Sequence, residues 1–484
     1  MGQTLYYAGE VALWYQTKCG GELSFLGCHN VSGVSVPRGE KNPTYCRVGK
    51  NKYAIQRTWR STPGLGAMTI TAYDTVLNYI QELPCPINLY VLYSACGQDD
   101  NPINYDYLYI YEGYEPNSED TDTQVSGISQ EQQTPIMLSM PGNFTARTKV
   151  KRLTSQALDV SDLTSADINA VWFCDEPNCG DLCGSESLGC QIGYFVTQGT
   201  SAVVAKTVDG GGTWTALDFP FALATSNVND VVCDGDVVIV TDGTGTGYAY
   251  SWDAGDTWNE VTTPTKMIND VTMLGATKIW FAAQDGYIYY SSNRGQTITT
   301  QDAGVATSQS LNSIDAANSL IVYAVGDNNA FVRTANGGTA WTAVTGPAVG
   351  IFPNDLYVVK AVPNTDIVYV GDEQGNLYRS EDNGDTWATV YAATTDTAGG
   401  IADIAIPHCD VVVFVANNQD PYFYANPTGV FYESVDGGNI WQSIEMPANT
   451  GFNSVTACPG GGVNKYWVAG EDGFLALVSG EMAV

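Results

Sequence analysis

An eight-residue pattern of the form Ser/Thr-x-Asp/Asn-x-Gly-x-x-Trp recurs six times in the last three-fifths of the chain. Its acidic or amide position falls at intervals of 44, 40, 43, 46 and 54 residues, at Asp209, Asp253, Asn293, Asn336, Asp382 and Asp436. Its glycines are Gly211, Gly255, Gly295, Gly338, Gly384 and Gly438, and its tryptophans are Trp214, Trp258, Trp341, Trp387 and Trp441, with Ile298 in the third copy. Spacings of about 40–50 residues are typical of the four-stranded blades of a β-propeller.

The residue types of this octet favour a structural role. An Asp or Asn oxygen accepts backbone N–H groups in a turn, glycine allows a positive φ, and tryptophan packs between sheets. Asn293 and Asn336 keep the acceptor oxygen without the charge, which favours a turn over catalysis. The six copies resemble the Asp-box, or BNR, repeat family, and that resemblance implies an Asp-box β-propeller.

Strand-like segments around the octets predict seven blades over 167–484, with each octet in the turn between the third and fourth strands. The first blade begins at Asp167–Trp172, and the last shows three strands before the chain ends. We expect a strand from about 144–157 to complete the last blade. Residues 151–166 are therefore a linker or the closing strand.

Residues 1–150 do not repeat and predict a β-barrel or sandwich-like assembly domain with one helix, at Tyr73–Leu83. The helix prediction rests on an apolar face and on the proline that follows it. The fold class is thus all-β, with this domain preceding a seven-bladed propeller.

Four of the twelve cysteines cluster at Cys174, Cys179, Cys183 and Cys190, in the connection between the first two strands of the first blade. We favour disulfides within this cluster, on the same face as the octets; a zinc site and free thiols are the alternatives. Cys233 stands alone in a strand-like context and is interpreted as a small buried hydrophobe. No cofactor is expected.

The formal net charge is −32. Residues 1–192 contribute 12 basic and 21 acidic residues, and residues 193–484 contribute 8 and 31. Such a surface repels nucleic acid and anionic membranes, so we expect neither as a partner. The start of the chain lacks a signal-peptide pattern, and no apolar run reaches the length of a membrane span.

Many Asp-box propellers are sialidases, and this chain departs from their pattern. A sialidase needs three arginines that converge on a carboxylate, but residues 193–484 contain only Arg294, Arg333 and Arg379, all in or beside octets. The whole chain has two histidines, His29 and His408. We therefore expect no enzyme activity and no catalytic residues.

The run Leu83–Cys96 followed by Tyr107–Tyr111 resembles virion proteins of tailed bacteriophages, in which a β domain precedes an Asp-box propeller. The resemblance implies a structural tail-tube subunit of the virion, assembled in the host cytoplasm. Its partners would be itself, in rings that are hexameric in a tail tube, and other virion proteins. Residues 1–150 would drive self-assembly, because identical propellers of high negative charge repel one another.

Two alternatives stay open. One is a propeller on a capsid or tail that binds a receptor or a host-surface glycan, for which the 11 tryptophans and 29 tyrosines offer stacking surfaces. The other is a cellular Asp-box propeller that acts as an assembly factor and binds a polypeptide partner.

Overall fold

A computed structural model describes two compact units, Met1–Arg152 with Glu481–Val484, and Leu153–Gly480. In the second unit the described residues are 153–174, 191–199, 202–219, 227–344, 355–393, 399–408, 411–418, 428–446 without 436 and 440, 450–460 and 463–480. In the first unit they are the strands named next. The predicted helix at Tyr73–Leu83 and the octet residue Asp436 lie outside the described residues.

The first unit contains nine described strands. They are β1 Val11–Thr17, β2 Ser24–Ser35, β3 Thr44–Val48, β4 Lys52–Gln56, β5 Gly66–Ala72, β6 Ile87–Leu92, β7 Leu108–Pro116, β8 Leu138–Phe144 and β9 Ala146–Val150. Strands β3 and β4 form a hairpin, and the others form a sheet of order β6-β1-β2-β5-β8-β7-β9 in which β7 also pairs with β6. Ile87, Leu89, Val91 and Tyr111 are buried there.

The second unit is a seven-bladed β-propeller. Seven antiparallel four-stranded sheets follow one another, and we call their strands A to D in sheet order. The A strands contact one another around a closed ring and are therefore innermost. They are Ile168–Phe173, Val228–Asp234, Ile268–Leu274, Leu311–Ala316, Leu356–Ala361, Ile401–His408 and Phe452–Gly460.

The remaining strands repeat in the same order in each blade. The B strands are Gly193–Thr197, Val237–Asp242, Lys278–Ala283, Val322–Gly326, Val368–Asp372, Val411–Asn418 and Val463–Gly470. The C strands are Val204–Thr207, Tyr248–Ser251, Tyr287–Ser291, Ala330–Thr334, Leu377–Ser380, Thr428–Ser434 and Leu475–Gly480. The D strands are Thr215–Ala216, Asn259–Val261, Thr299–Ala303, Thr342–Ala343, Ala388–Tyr391, Gln442–Glu445 and Leu153–Ala157. Two single 3₁₀ turns, Gln284–Gly286 and Glu471–Gly473, lie between B and C strands.

The last blade is completed from upstream. Its D strand, Leu153–Ala157, pairs with Leu475–Gly480 in antiparallel register from Leu153 opposite Gly480 to Ala157 opposite Ala476. The earlier part of the predicted closing segment is placed differently, because Ala146–Val150 pairs with β7 in the first unit. The closing strand is thus shorter than 144–157.

Seven apolar clusters hold neighbouring blades together, one in each interface between blades. Between blades 7 and 1, Trp467 stacks on Phe173 with ring centroids 3.8 Å apart. Each sheet is thus buried on both faces. The continuous runs of valine, isoleucine and tyrosine in the B strands are typical of strands in such sheets.

The octets form the turns between C and D strands. In the fifth copy the Asp382 carboxylate accepts the Thr386 N–H at 2.7 Å and the Thr386 hydroxyl at 2.6 Å, and these bonds lower its pKa to about 2. The Ser380 hydroxyl accepts the Gly384 N–H at 2.8 Å. All six octet glycines have positive φ, for example 91° at Gly384.

The octets that have asparagine in place of aspartate form the same turn. Asn336 accepts the Ala340 N–H at 2.9 Å, just as Asp382 accepts that of Thr386. The octet tryptophans pack toward the preceding blade: Trp441 donates to the Val390 carbonyl at 2.9 Å, and Trp387 meets Phe331 edge to face at 5.4 Å.

This equivalence gives a matched pair of substitutions. Asp382→Ala removes the acceptor of three hydrogen bonds, from the Ser380 hydroxyl and from the N–H and hydroxyl of Thr386. It should lower the free energy of unfolding by about 1 kcal/mol, as loss of a capping side chain does. Asp382→Asn keeps the acceptor oxygen that Asn336 uses, so its cost should be less than half of that. Denaturant unfolding of the full chain measures both, and equal costs for the two variants would contradict this role.

Candidate functional site

A bulge near the start of every A strand turns side chains toward the next blade. The pairing register of each A strand with its B strand shifts by one residue there, as between Ile268 and Asp270. Five asparagines in these bulges donate to the A strand of the following blade. The bonds are Asn169 to Val228, Asn229 to Asn269, Asn269 to Leu311, Asn312 to Leu356 and Asn453 to Ile168, at 2.7–3.2 Å.

Three carboxylates next to these bulges bridge blades. Asp230 accepts the Val271 N–H at 3.1 Å, Asp270 accepts the Ile314 N–H at 2.7 Å, and Asp403 accepts the Val455 N–H at 2.9 Å. Burial raises the pKa of all three, and the nearby Asp270 charge raises that of Asp230 further. For Asp403 the pKa rises to about 6, although backbone donors and Lys360 oppose the shift.

The raised pKa values set a pH dependence. A carboxyl with a folded pKa above its unfolded value favours the protonated folded state, so its contribution is lost as pH rises from about 4 through the folded pKa. For Asp403 this window ends near pH 6. We expect the unfolding temperature to be higher at pH 5 than at pH 7.5.

Calorimetry of the full chain across this range checks the prediction. Asp403→Asn keeps an oxygen for the Val455 N–H and removes the titratable carboxyl group. The unfolding temperature of this variant should therefore fall less steeply with pH than that of the wild type. A wild-type unfolding temperature that rises between pH 5 and pH 7.5 would contradict it.

The carboxyl ends of six A strands enclose a central cavity of about 90 Å³. Its polar lining includes Thr272, Asp315 and Lys360, and its apolar lining includes Trp172 and Ile406. The Asp315 carboxylate accepts the Thr272 hydroxyl at 2.9 Å and the Ala361 N–H at 2.8 Å. The Lys360 ammonium lies 4.0 Å from Asp315 and 4.7 Å from the centre of the Trp172 ring, which belongs to the first blade.

The cysteines form a bond that the sequence did not predict. Cys174 is bonded to Cys233 in the next blade, with Cα atoms 4.9 Å apart. The pairing of Cys174 within its own cluster and the interpretation of Cys233 as a free hydrophobe are both wrong, because the ends of the first two A strands meet at the cavity. Cys179, Cys183 and Cys190 lie outside the described residues.

The two ends of the propeller differ in charge. We call the end with the A–B turns and the octets the octet face, and the end with the B–C turns and D–A connections the B–C face. Residues 153–484 contain eight basic residues. Six belong to strands or turns toward the octet face, Lys206, Lys278, Arg294, Arg333, Arg379 and Lys465, and a seventh, Lys360, is at the cavity.

The B–C face is strongly acidic. Its single basic residue, Lys266, is 2.5 Å from the Asp285 carboxylate. In the part of this face that the structure describes, the acidic residues that are at least partly exposed include Asp159, Asp162, Asp167, Asp285, Asp327, Asp355, Glu373, Glu471 and Asp472. Like charges on one face raise the local concentration of cations.

An exposed aromatic ring lies within this acidic face. Tyr357 occupies the bulge of the fifth A strand and is 40% exposed. Partial burial raises the pKa of its hydroxyl, and the charges of Glu373, Asp355 and Asp327 raise it further. An aromatic face beside three carboxylates is a suitable surface for an ammonium or guanidinium group.

The remaining predicted site residues are distributed around the propeller. The described octet residues lie in the C–D turns of six blades, so they are spread around the propeller and form no common site. Arg333 pairs with Asp385 at 2.7 Å, and Arg379 donates to the Tyr369 hydroxyl at 3.0 Å. Among the described residues, no helix has the length and apolar character needed to cross a membrane.

Comparison with known proteins places the fold. No protein-family model and no characterised protein matches the chain by sequence. A solved structure of YCF48 bound to a D1 peptide is 16% identical and covers 69% of this chain and 96% of its own, with a TM-score of 0.51.

Two further structures are similar. YCF48 from Cyanidioschyzon merolae is 18% identical, with coverages of 67% and 98% and a TM-score of 0.49. The WD40 propeller domain of Doa1 is 11% identical, with coverages of 69% and 98% and a TM-score of 0.50. At these identities the likeness concerns the fold, which is a β-propeller.

Sequence reasoning missed the acidic B–C face, although a signal for it exists. An acidic residue follows the B strand closely in four blades, as Asp285, Asp327, Glu373 and Glu471. This regularity becomes visible only after the B strands have been bounded.

Proposed function

We propose that this chain is a non-catalytic β-propeller that binds a basic polypeptide segment on its B–C face, as an assembly factor would. The charge distribution carries the proposal. Of the eight basic residues in 153–484, only Lys266 belongs to this face, and Asp285 already pairs with it. The remaining carboxylates keep an uncompensated negative potential that attracts cationic chains.

Tyr357 is the anchor within this surface. A lysine or arginine side chain placed over its ring would gain a cation–π contact of about 0.5–2 kcal/mol. Asp327, Asp355 and Glu373 would accept hydrogen bonds from the same cationic group or from its neighbours. The carboxylates are already ordered, because Asp355 accepts the Asn328 N–H at 2.7 Å and Asp327 accepts the Asn312 amide at 3.0 Å.

The comparison supports a polypeptide as the class of partner, since a propeller of this fold has been solved with a bound peptide. The tail-tube function and the virion partners inferred from sequence receive no support from the propellers found. We therefore adopt the polypeptide-binding alternative.

The absence of catalysis is part of the proposal. Arg294, Arg333 and Arg379 belong to octets or C strands, and none of them lines the central cavity. A convergent arginine cluster of the sialidase kind would need its members in that cavity.

Fluorescence anisotropy of labelled peptides with the full chain tests the proposal. A lysine- and arginine-rich peptide should bind, and its affinity should fall as salt rises; an acidic peptide of equal length should not bind. Tyr357→Ala should weaken binding about fivefold or more, and the triple variant Asp327→Asn, Asp355→Asn, Glu373→Gln about tenfold or more.

A matched control removes three charges elsewhere. Asp236, Asp256 and Glu260 are exposed in an A–B turn, an octet and an outer strand. Their conversion to the corresponding amides should change affinity less than about twofold. Equal losses in both triple variants would show that net charge alone attracts the peptide, and no binding at low salt would overturn the proposed function.

A further inference from the structure

The Cys174–Cys233 disulfide forms part of the wall of the central cavity. Both residues line the cavity and are more than nine-tenths buried, with exposures of 8% and 5%. Cys174 directly follows the first A strand, and Cys233 is the penultimate residue of the second. The cavity therefore offers a small thiol a route to both sulfur atoms.

The contact between blades 1 and 2 does not depend on this bond alone. The Asn169 amide donates to the Val228 carbonyl at 2.8 Å, and the Gly199 N–H donates to Asn227 at 2.7 Å. The Tyr194 hydroxyl donates to the Ala254 carbonyl at 2.9 Å. An apolar cluster that includes Val196, Val231 and Val240 fills the interface. Loss of the disulfide would thus leave the blades packed and remove only the covalent link between the two strand ends at the cavity.

The strand end that carries Cys174 also carries the residue that covers Lys360. Trp172 is two residues before Cys174 in the same strand, and its ring centre lies 4.7 Å from the Lys360 ammonium. Cys174 makes one backbone bond beyond the strand, from its N–H to the Ile192 carbonyl at 3.0 Å. Phe173, which is fully buried between blades 7 and 1, keeps the main chain of this strand in place, so breaking the bond to blade 2 would free chiefly the side chains at the cavity.

We propose that the Cys174–Cys233 bond is a redox-sensitive clamp that keeps the central cavity closed around Lys360. A thiolate of a dithiol attacks one sulfur, breaks the S–S bond and displaces the other sulfur as a thiolate. The second thiolate of the dithiol then displaces the first protein sulfur. The reductant leaves as its cyclic disulfide, and the two cysteines take up protons.

Acetylation of lysines in the native full chain measures the opening. The oxidised chain and the chain treated with dithiothreitol are exposed to a neutral amine-acetylating reagent, and modification at each lysine is followed by peptide mass spectrometry. Acetylation of Lys360 should be about fivefold faster or more after reduction. Lys465, which is exposed, and Lys266, which belongs to the B–C face, should each change less than about twofold.

The double variant Cys174→Ser, Cys233→Ser separates this bond from any other disulfide. It should show the fast rate at Lys360 without reductant and no response to reductant. If it fails to fold, a time course of the wild-type chain serves instead, with bond cleavage and Lys360 acetylation measured together. The clamp is refuted if Lys360 is acetylated at the same rate before and after verified cleavage, or if the dithiol leaves the bond intact in the folded chain. The readout is independent of peptide binding on the B–C face.

Discussion

Replacing Thr154 and Gln156 together with proline is expected to open the propeller ring and to lower its free energy of unfolding by more than about 3 kcal/mol. The two residues pair with Ser479 and Leu477 in the closing strand. Leu158 donates to the Leu475 carbonyl at 2.8 Å, so the alternate N–H groups of Gln156 and Thr154 point into the same ladder. Proline at these positions removes both donors.

The intervening residues provide the control. Ser155 and Ala157 pair with Val478 and Ala476, and their N–H groups point away from the ladder. Their joint replacement by proline should cost less than half as much, because proline is tolerated on the outer side of an edge strand. Thermal unfolding and hydrogen exchange of Leu475–Gly480 measure both variants. Similar losses in the two would show that the closing strand acts through its side chains and not through its ladder.

Trp467→Ala is expected to have the second large effect, a loss of about 3–5 kcal/mol in the free energy of unfolding. Trp467 is 1% exposed and stacks on Phe173 across the junction of blades 7 and 1. It also underlies the first octet, since a Cβ atom on Gly211 would lie 2.5 Å from its Nε1 atom. Removal of the ring would leave a cavity beside the closing blade.

Trp252 is a matched tryptophan on the octet face. It is 42% exposed and donates to the Arg294 carbonyl at 3.0 Å. Trp252→Ala should cost about 1 kcal/mol or less, because little apolar area is returned to water. Denaturant titration of the two variants gives the comparison, and equal destabilisation would contradict the assigned role of the seam between blades 7 and 1.

The blades were predictable from sequence because each octet contains the residue types that its turn requires. Gly384 needs a positive φ, Asp382 supplies an acceptor four residues before the N–H that it binds, and the spacing gives the length of a blade. These residues are close together in the sequence, so the turn can be recognised without knowledge of the tertiary structure. The need for a fourth strand in the last blade follows from the same repetition.

Contacts between blades were less predictable. Cys174 and Cys233 are 59 residues apart, and only the convergence of A strands at the axis brings them together. The surroundings of Tyr357 likewise come from three different chain segments, which meet at the B–C face. The cavity around Lys360 is lined by residues of six blades, so no short sequence motif predicts it.

The closing strand has a consequence for synthesis on the ribosome. Leu153–Ala157 emerges before the seven A strands, yet its partner Leu475–Gly480 is translated roughly 320 residues later. At about 5–20 residues per second, this strand waits about 16–64 s without its partner. During that time both it and the growing stack of blades present unpaired edges, which are sites for aggregation and for chaperones. The ring can therefore close only after Gly480, the last residue of the partner strand, has been translated.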